Sequence, residues 1–135
     1  MQQDRILIID DCRINVLLLK HVIGRINVRV DSAGSGEEGL ALASRADYPL
    51  IFVDILMPGI DGLETCRRIR EQSHAMRPRL ILLTSMGEQF SQEMATEVGA
   101  DSVIFKPIVP SQIVEVVKEA LRASETRDQP EAVKP

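Results

Sequence analysis

Asp10 and Asp11 stand side by side where the apolar run RILII (5–9) stops. Two carboxylates about 4 Å apart repel by roughly 4 kcal/mol at an effective dielectric near 20. A cation must offset that repulsion, or both acids must face water. Three further apolar runs end in groups of complementary chemistry. PLIFVD (49–54) ends in Asp54, RLILLT (79–84) ends in Thr84 with Ser85 next, and SVIF (102–105) runs into Lys106 and Pro107. Asp31 and Ser32, after VRV (28–30), contribute less clearly.

Each group has an ordinary explanation when taken alone. Asp11 can cap a helix that starts near Cys12, because Asp is a favoured N-cap. Asp54 can be a turn residue before Met57-Pro58-Gly59, Thr84 a cap or turn hydroxyl, and Lys106 a solvated charge. Together they form a coherent set. Mg²⁺ prefers octahedral oxygen ligands, keeps several waters, and takes one or two carboxylates alongside phosphate oxygens. Asp10, Asp11 and Asp54 suit it, with a backbone carbonyl just past Asp54 as a further ligand; Mn²⁺ is the alternative ion. A carboxylate beside such a cation can attack phosphorus to give an aspartyl phosphate. The metal and Lys106 would then neutralise charge on the transferring group.

These groups converge only if the runs that deliver them are neighbouring strands. RILII, PLIFVD and RLILLT are continuous apolar runs, as expected of strands buried on both faces. Between them, apolar residues recur at helical spacing over 13–23 (closed by Gly24), 36–46, 63–72, 89–100 (ending at Gly99) and 111–123. Five strands alternating with five helices predict an α/β fold: a parallel sheet covered on both faces and joined by right-handed crossovers. Ligands bind such sheets beyond the carboxyl ends of the strands, which is where all of these groups fall. The last stretch, SETRDQPEAVKP (124–135), is polar and without periodicity, and predicts a tail or linker.

Composition narrows the function classes. A length of 135 residues suits one domain with its own core. A net charge of −4 argues against a direct nucleic-acid binder. No apolar stretch reaches the roughly 20 residues that span a bilayer, so no membrane insertion is expected. The N-terminus MQQDRILIID lacks a signal peptide's basic and apolar regions, which makes the cytoplasm the expected location. Cys12 and Cys66 form no CxxC pattern and read as reduced bystanders.

The acid pair, the segment DILMPGIDG (54–62), Thr84 with small Ser85, and Lys106-Pro107 resemble, in order and spacing, the receiver domain of two-component response regulators. The resemblance covers residues 4–123. It implies a flavodoxin-like (βα)5 doubly wound sheet of order 2-1-3-4-5, for which a chemotaxis receiver is a standard example. It implies that Asp54 is the phosphoacceptor and that Asp10, Asp11, Asp54 and the Leu56 carbonyl hold Mg²⁺. Lys106 would contact the phosphoryl group and Thr84 would bond it as a switch. A sensor histidine kinase or histidine phosphotransfer protein would be the donor, and an effector or output domain the reader. The chain would catalyse only its own phosphorylation and dephosphorylation.

The resemblance also implies a homodimer through the helix 4–strand 5–helix 5 face, although Ile104, Ile113, Val116 and Val117 there suit an ordinary core equally well. Lys106-Pro107 is often cis in the family. DDCRIN, with Asn15 four after Asp11, is similar to receivers fused to hybrid sensor kinases. Two features depart from the pattern. Val103 stands where receivers commonly carry Tyr or Phe, while Phe105 lies next to Lys106 on the opposite face of the strand by alternation. Leu56 and Met86, two after Asp54 and Thr84, are bulky and apolar, and are expected to hinder attacking water and lengthen the phosphoryl lifetime.

Three rival readings remain. GSGEEG (34–39) matches G-x-G-x-x-G, a dinucleotide motif. It follows the second strand, however, and Glu37-Glu38 put negative charge where a pyrophosphate would sit. An acidic first helical turn, favourable to the dipole, accounts for it better. A haloacid-dehalogenase-like phosphohydrolase needs a second Asp two after its nucleophile, where this chain has Leu56. The last alternative is a degenerate receiver acting as a phosphorylation-independent interaction module. Val103 favours it and the five intact site residues oppose it.

Overall fold

Leu50–Asp54 forms strand β3, and all five of its residues are buried. Only the middle of a sheet covered on both faces demands that. The computed structural model describes residues 4–85 and 92–128. Around β3 lie β1 (Arg5–Ile9), β2 (Arg29–Ala33), β4 (Arg79–Thr84) and β5 (Ser102–Phe105). The order is β2-β1-β3-β4-β5, with every neighbouring pair parallel. This is the expected order, and it places the topological switch between β1 and β3.

Helices α1 (Arg13–Ile23), α2 (Gly36–Ala43), α3 (Gly62–Glu71), α4 (Gln92–Glu97) and α5 (Pro110–Asp128) cover the faces. Strand alternation divides the core in two. Ile6, Ile8, Leu50, Phe52, Ile81, Leu83 and Ile104 pack with Leu19 and Ile23 of α1 and Ile113 and Val117 of α5. Leu7, Ile9, Ile51, Val53, Leu80 and Leu82 pack with α2, α3 and α4 through Ala43, Cys66, Ile69 and Ala95. Ile104, Ile113 and Val117 are therefore core residues, and Val116 packs partly buried against them.

Three boundaries differ from expectation. β2 runs on to Ala33, so Asp31 and Ser32 lie inside it and do not present themselves at its end. As an edge strand β2 has one side open to water, which tolerates polar residues; the Tyr48 hydroxyl donates to Asp31 at 2.7 Å. α2 stops at Ala43, where Ser44 caps it. α5 continues past Ala123 to Asp128, and Ser124 is buried. The expected tail therefore begins inside the helix, because SETRD contains no glycine or proline to stop it. Residues 129–135, the start of the expected 89–100 helix and Met86 lie outside the described residues.

Candidate functional site

Register brings the reactive groups to one edge. Ile9 of β1 pairs with Val53 of β3, so Asp10 and Asp54 follow side by side across the switch point. Alternation decides the face. Asp10 follows Ile6 and Ile8, Asp54 follows Leu50 and Phe52, and Lys106 follows Ile104, all on the α1–α5 side. Thr84 continues the parity of Leu80 and Leu82, on the side of α3 and α4, which Val103 shares. Lys106 is tied to β4 by its backbone N–H, which donates to the Thr84 carbonyl at 2.8 Å. The Lys106–Pro107 peptide is cis.

One carboxylate oxygen from each of Asp10, Asp11 and Asp54 lies within 4.8 Å of the others. Asp10 and Asp54 are buried, with 2% and 6% of their surface exposed, whereas Asp11 is open to solvent. The Lys106 ammonium donates to Asp54 Oδ1 at 3.1 Å. Burial pushes the Asp10 carboxyl above the usual carboxylate range. Its backbone bond from Cys12, the charge of Lys106 and the nearby Asn15 amide pull the other way. Asp54 is also raised, first by burial and then by the charge of Asp10, against the pull of Lys106.

The chemistry of this pocket fits a cation. Asp10 Oδ1 accepts from the Cys12 backbone N–H at 2.9 Å. Asp10 Oδ2 is buried with no hydrogen-bond partner. An orphaned carboxylate oxygen is costly, and a hard divalent ion is a natural partner for it. The expectation that Asp11 caps α1 does not hold. The N-cap is Cys12, without a side-chain bond, and it is Asp10 that takes the Cys12 N–H. Asp11 is left exposed beside the pocket.

The segment after Asp54 folds back beneath it. Gly59 turns the chain at φ +77°, and the Gly62 N–H donates to the Ile55 carbonyl at 2.8 Å. A Cβ on Gly62 would collide with the Asp54 carbonyl oxygen and the Ile55 Cα. Asp61 then caps α3 by accepting from the Glu64 N–H at 2.9 Å. Leu56 is 60% exposed. Asn15 and Gly62 were not singled out from sequence for the site. The i+4 spacing of Asn15 from Asp11 was the available signal for the first, and nothing local marks the second.

A profile of the response regulator receiver domain matches residues 6–118. The chain belongs to that family. ResD, a transcriptional regulatory protein of Bacillus subtilis (strain 168), is 39% identical over 92% of this chain and 51% of its own length. PhoP of the same strain, an alkaline phosphatase synthesis transcriptional regulatory protein, is 36% identical over 90% of this chain and 50% of its own. The chain spans about half the length of the curated relatives it matches. Among solved structures, a putative response regulator from Chloroflexus aurantiacus J-10-fl is 30% identical, with TM-score 0.82 over 90% of this chain and 99% of that one. The Vibrio cholerae chemotaxis protein CheY4 shares the fold, with TM-score 0.80 at 24% identity over 88% of this chain and 99% of its own.

This receiver keeps its acidic cluster and lysine together, and the degenerate alternative finds no support. Nor does the dinucleotide reading. Ser35 caps α2 by accepting from the Glu38 N–H at 3.1 Å, and Glu38 reaches back to the Gly34 N–H at 2.9 Å. GSGEEG is a helix cap of Ser35 with Glu38 bonding the residue before it, its glutamates on the favourable end of the helix dipole. Among the described residues, no helix is long and apolar enough to cross a membrane.

Proposed function

We propose that Asp54 takes a phosphoryl group from a phosphohistidine of a sensor kinase or phosphotransfer protein. An Asp54 carboxylate oxygen forms the new bond to phosphorus. The phosphorus–nitrogen bond breaks, and the imidazole nitrogen keeps its electron pair. Lys106, already at 3.1 Å from Asp54, offsets charge on the transferring oxygens. Asp10, Asp11 and Asp54 would hold Mg²⁺ or Mn²⁺, with the Leu56 carbonyl as a further ligand, and the bound ion supplies additional charge neutralisation. The buried Thr84 hydroxyl bonds the acquired phosphoryl group and biases the packing of β4 and β5. An effector or output domain reads that change in the cytoplasm. Phe105 and Val109, exposed at 46% and 50%, offer apolar contacts beside β5 for a homodimer.

The observation that carries this reading is a carboxylate at a central strand end with a cation on one side and two acids on the other. Incubation with acetyl phosphate and Mg²⁺, followed by intact mass, tests it. One added phosphoryl group is expected, absent in Asp54→Asn and after chelation. No adduct, or one that persists in Asp54→Asn, refutes the assignment.

A further inference from the structure

Among the described residues, β2 ends the sheet and pairs with β1 alone. The Arg29 N–H donates to the Asp4 carbonyl at 2.8 Å, and the Ala33 carbonyl accepts from the Asp10 N–H at 3.0 Å. Residues 29, 31 and 33 therefore turn their main-chain groups toward β1. Val30 and Ser32 turn theirs to the open edge, which is a template for one more strand. Charged side chains commonly blunt such edges. Here alternation draws Arg29 and Asp31 onto the α2 face, where they pair at 3.2 Å.

A groove of about 470 Å³ lies over that edge. Lys20 of α1 walls one side, and Leu42 of α2 with Arg45 just beyond it walls the other. Arg5 and Arg29 bring its lining to four cations against two carboxylates, Asp31 and Glu38. Both carboxylates are already engaged. Asp31 accepts from the Tyr48 hydroxyl at 2.7 Å as well as from Arg29, and Glu38 accepts from the Gly34 N–H at 2.9 Å. Among the described residues, Lys20 and Arg45 make no ion pair. The result is a cationic slot on a chain of net charge −4. A second cavity of about 330 Å³ continues it past Gly34 to Asp11, sharing Lys20, Ser32 and Glu38. A cleft elongated along the main chain suits an extended ligand better than a compact anion.

Open main-chain groups flanked by uncompensated cations match an extended segment with acidic side chains. We propose that the β2 edge takes up an extended, acidic segment of a partner protein as a sixth strand of the sheet. A second copy does not fit, because an isologous pairing of two β2 edges would bring Lys20 and Arg45 against their own counterparts. The segment QPEAVKP (129–135) does not fit either, since it offers one acidic side chain beside one lysine and two prolines.

A fluorescein-labelled hexapeptide alternating valine and glutamate serves as the probe, titrated with the full chain by anisotropy at low salt. Saturable binding that weakens with salt is expected. An added strand bonds β2 along one of its own edges only. N-methylation of alternate peptide residues in one register should therefore weaken binding about tenfold or more, and in the other register less than about twofold. The pair Lys20→Glu/Arg45→Glu should weaken binding about tenfold or more and should take the lysine version of the peptide instead. Circular dichroism checks the fold, and Lys20→Gln/Arg45→Gln replaces the reversal if that variant unfolds. Absence of saturable binding, or equal binding by wild type and charge variant, overturns the proposal. Equal effects of the two N-methylated registers, or inorganic tripolyphosphate binding as tightly as the peptide, overturn it in favour of a general anion site. Sedimentation showing a dimer that the peptide dissociates overturns it in favour of a second copy.

Discussion

Asp10→Asn should make the metal-free protein more stable. The substitution keeps shape and removes one buried negative charge. Carboxylate oxygens of Asp10 and Asp54 within 4.8 Å repel by about 3.5 kcal/mol or more at an effective dielectric near 20. Lost attraction to Lys106 takes back part of this, leaving a net gain of roughly 1–2 kcal/mol. With about 2.1 cal/mol/K of unfolding entropy per residue over 135 residues, each kcal/mol is worth about 3.5 °C. Thermal unfolding at neutral pH without divalent ions should therefore show a rise of roughly 4–7 °C. The pH dependence carries a definite sign. A carboxyl raised in the folded state is at full stability below the ordinary carboxylate range and loses stability as pH rises through its raised native value. The advantage of Asp10→Asn should shrink as pH falls through that window and vanish below it. Mg²⁺ should raise the wild-type midpoint by mass action and leave the variant nearly unmoved. An unchanged midpoint at neutral pH, or an advantage of the same size in acid, would refute the account of Asp10 as an uncompensated buried charge.

Lys106→Met leaves Asp54 among acids without its 3.1 Å partner. Phosphorylation by acetyl phosphate should slow by about 10²-fold or more, read by intact mass over time; an unchanged rate would remove Lys106 from the chemistry. Leu56→Asn replaces an exposed apolar side chain with one that can orient water, and should shorten the phosphoryl lifetime by less than about 10²-fold. A lifetime as long as wild type would show that Leu56 does not hinder hydrolysis. Arg70→Ala removes donors to the Gly99 and Pro78 carbonyls, each at 2.7 Å, and to Asp101 at 2.9 Å. Chemical denaturation should register a loss of roughly 2–4 kcal/mol, and a loss under about 0.5 kcal/mol would mean that water replaces these bonds.

The central strands and their parallel direction were legible because β1, β3 and β4 are buried on both faces, and a doubly buried strand must be continuously apolar; their order came only from the family resemblance. β2 was misjudged for the converse reason: at an edge, polarity does not end a strand. Arg70 shows a different limit. On an amphipathic helix it reads as a solvated charge, yet its partners lie 8, 29 and 31 residues away, two of its three acceptors are backbone carbonyls, and no residue type announces them. The acid pair sits between these cases. Asp10 and Asp11 are chemically identical, and capping preference alone pointed to Asp11 as the structural one. Parity reverses that assignment: position 10 continues the inward face of Ile6 and Ile8, so Asp10 enters the core edge and Asp11 faces water. A buried carboxylate with one oxygen unpaired costs the fold stability, and Cys12, Lys106 and Asn15 relieve only part of that cost against burial. Local rules of this kind are broken at sites where something outside the chain completes the bonding. The orphaned oxygen is therefore a stronger argument for a cation than the adjacency of the two acids, because an exposed pair could have remained in water without one.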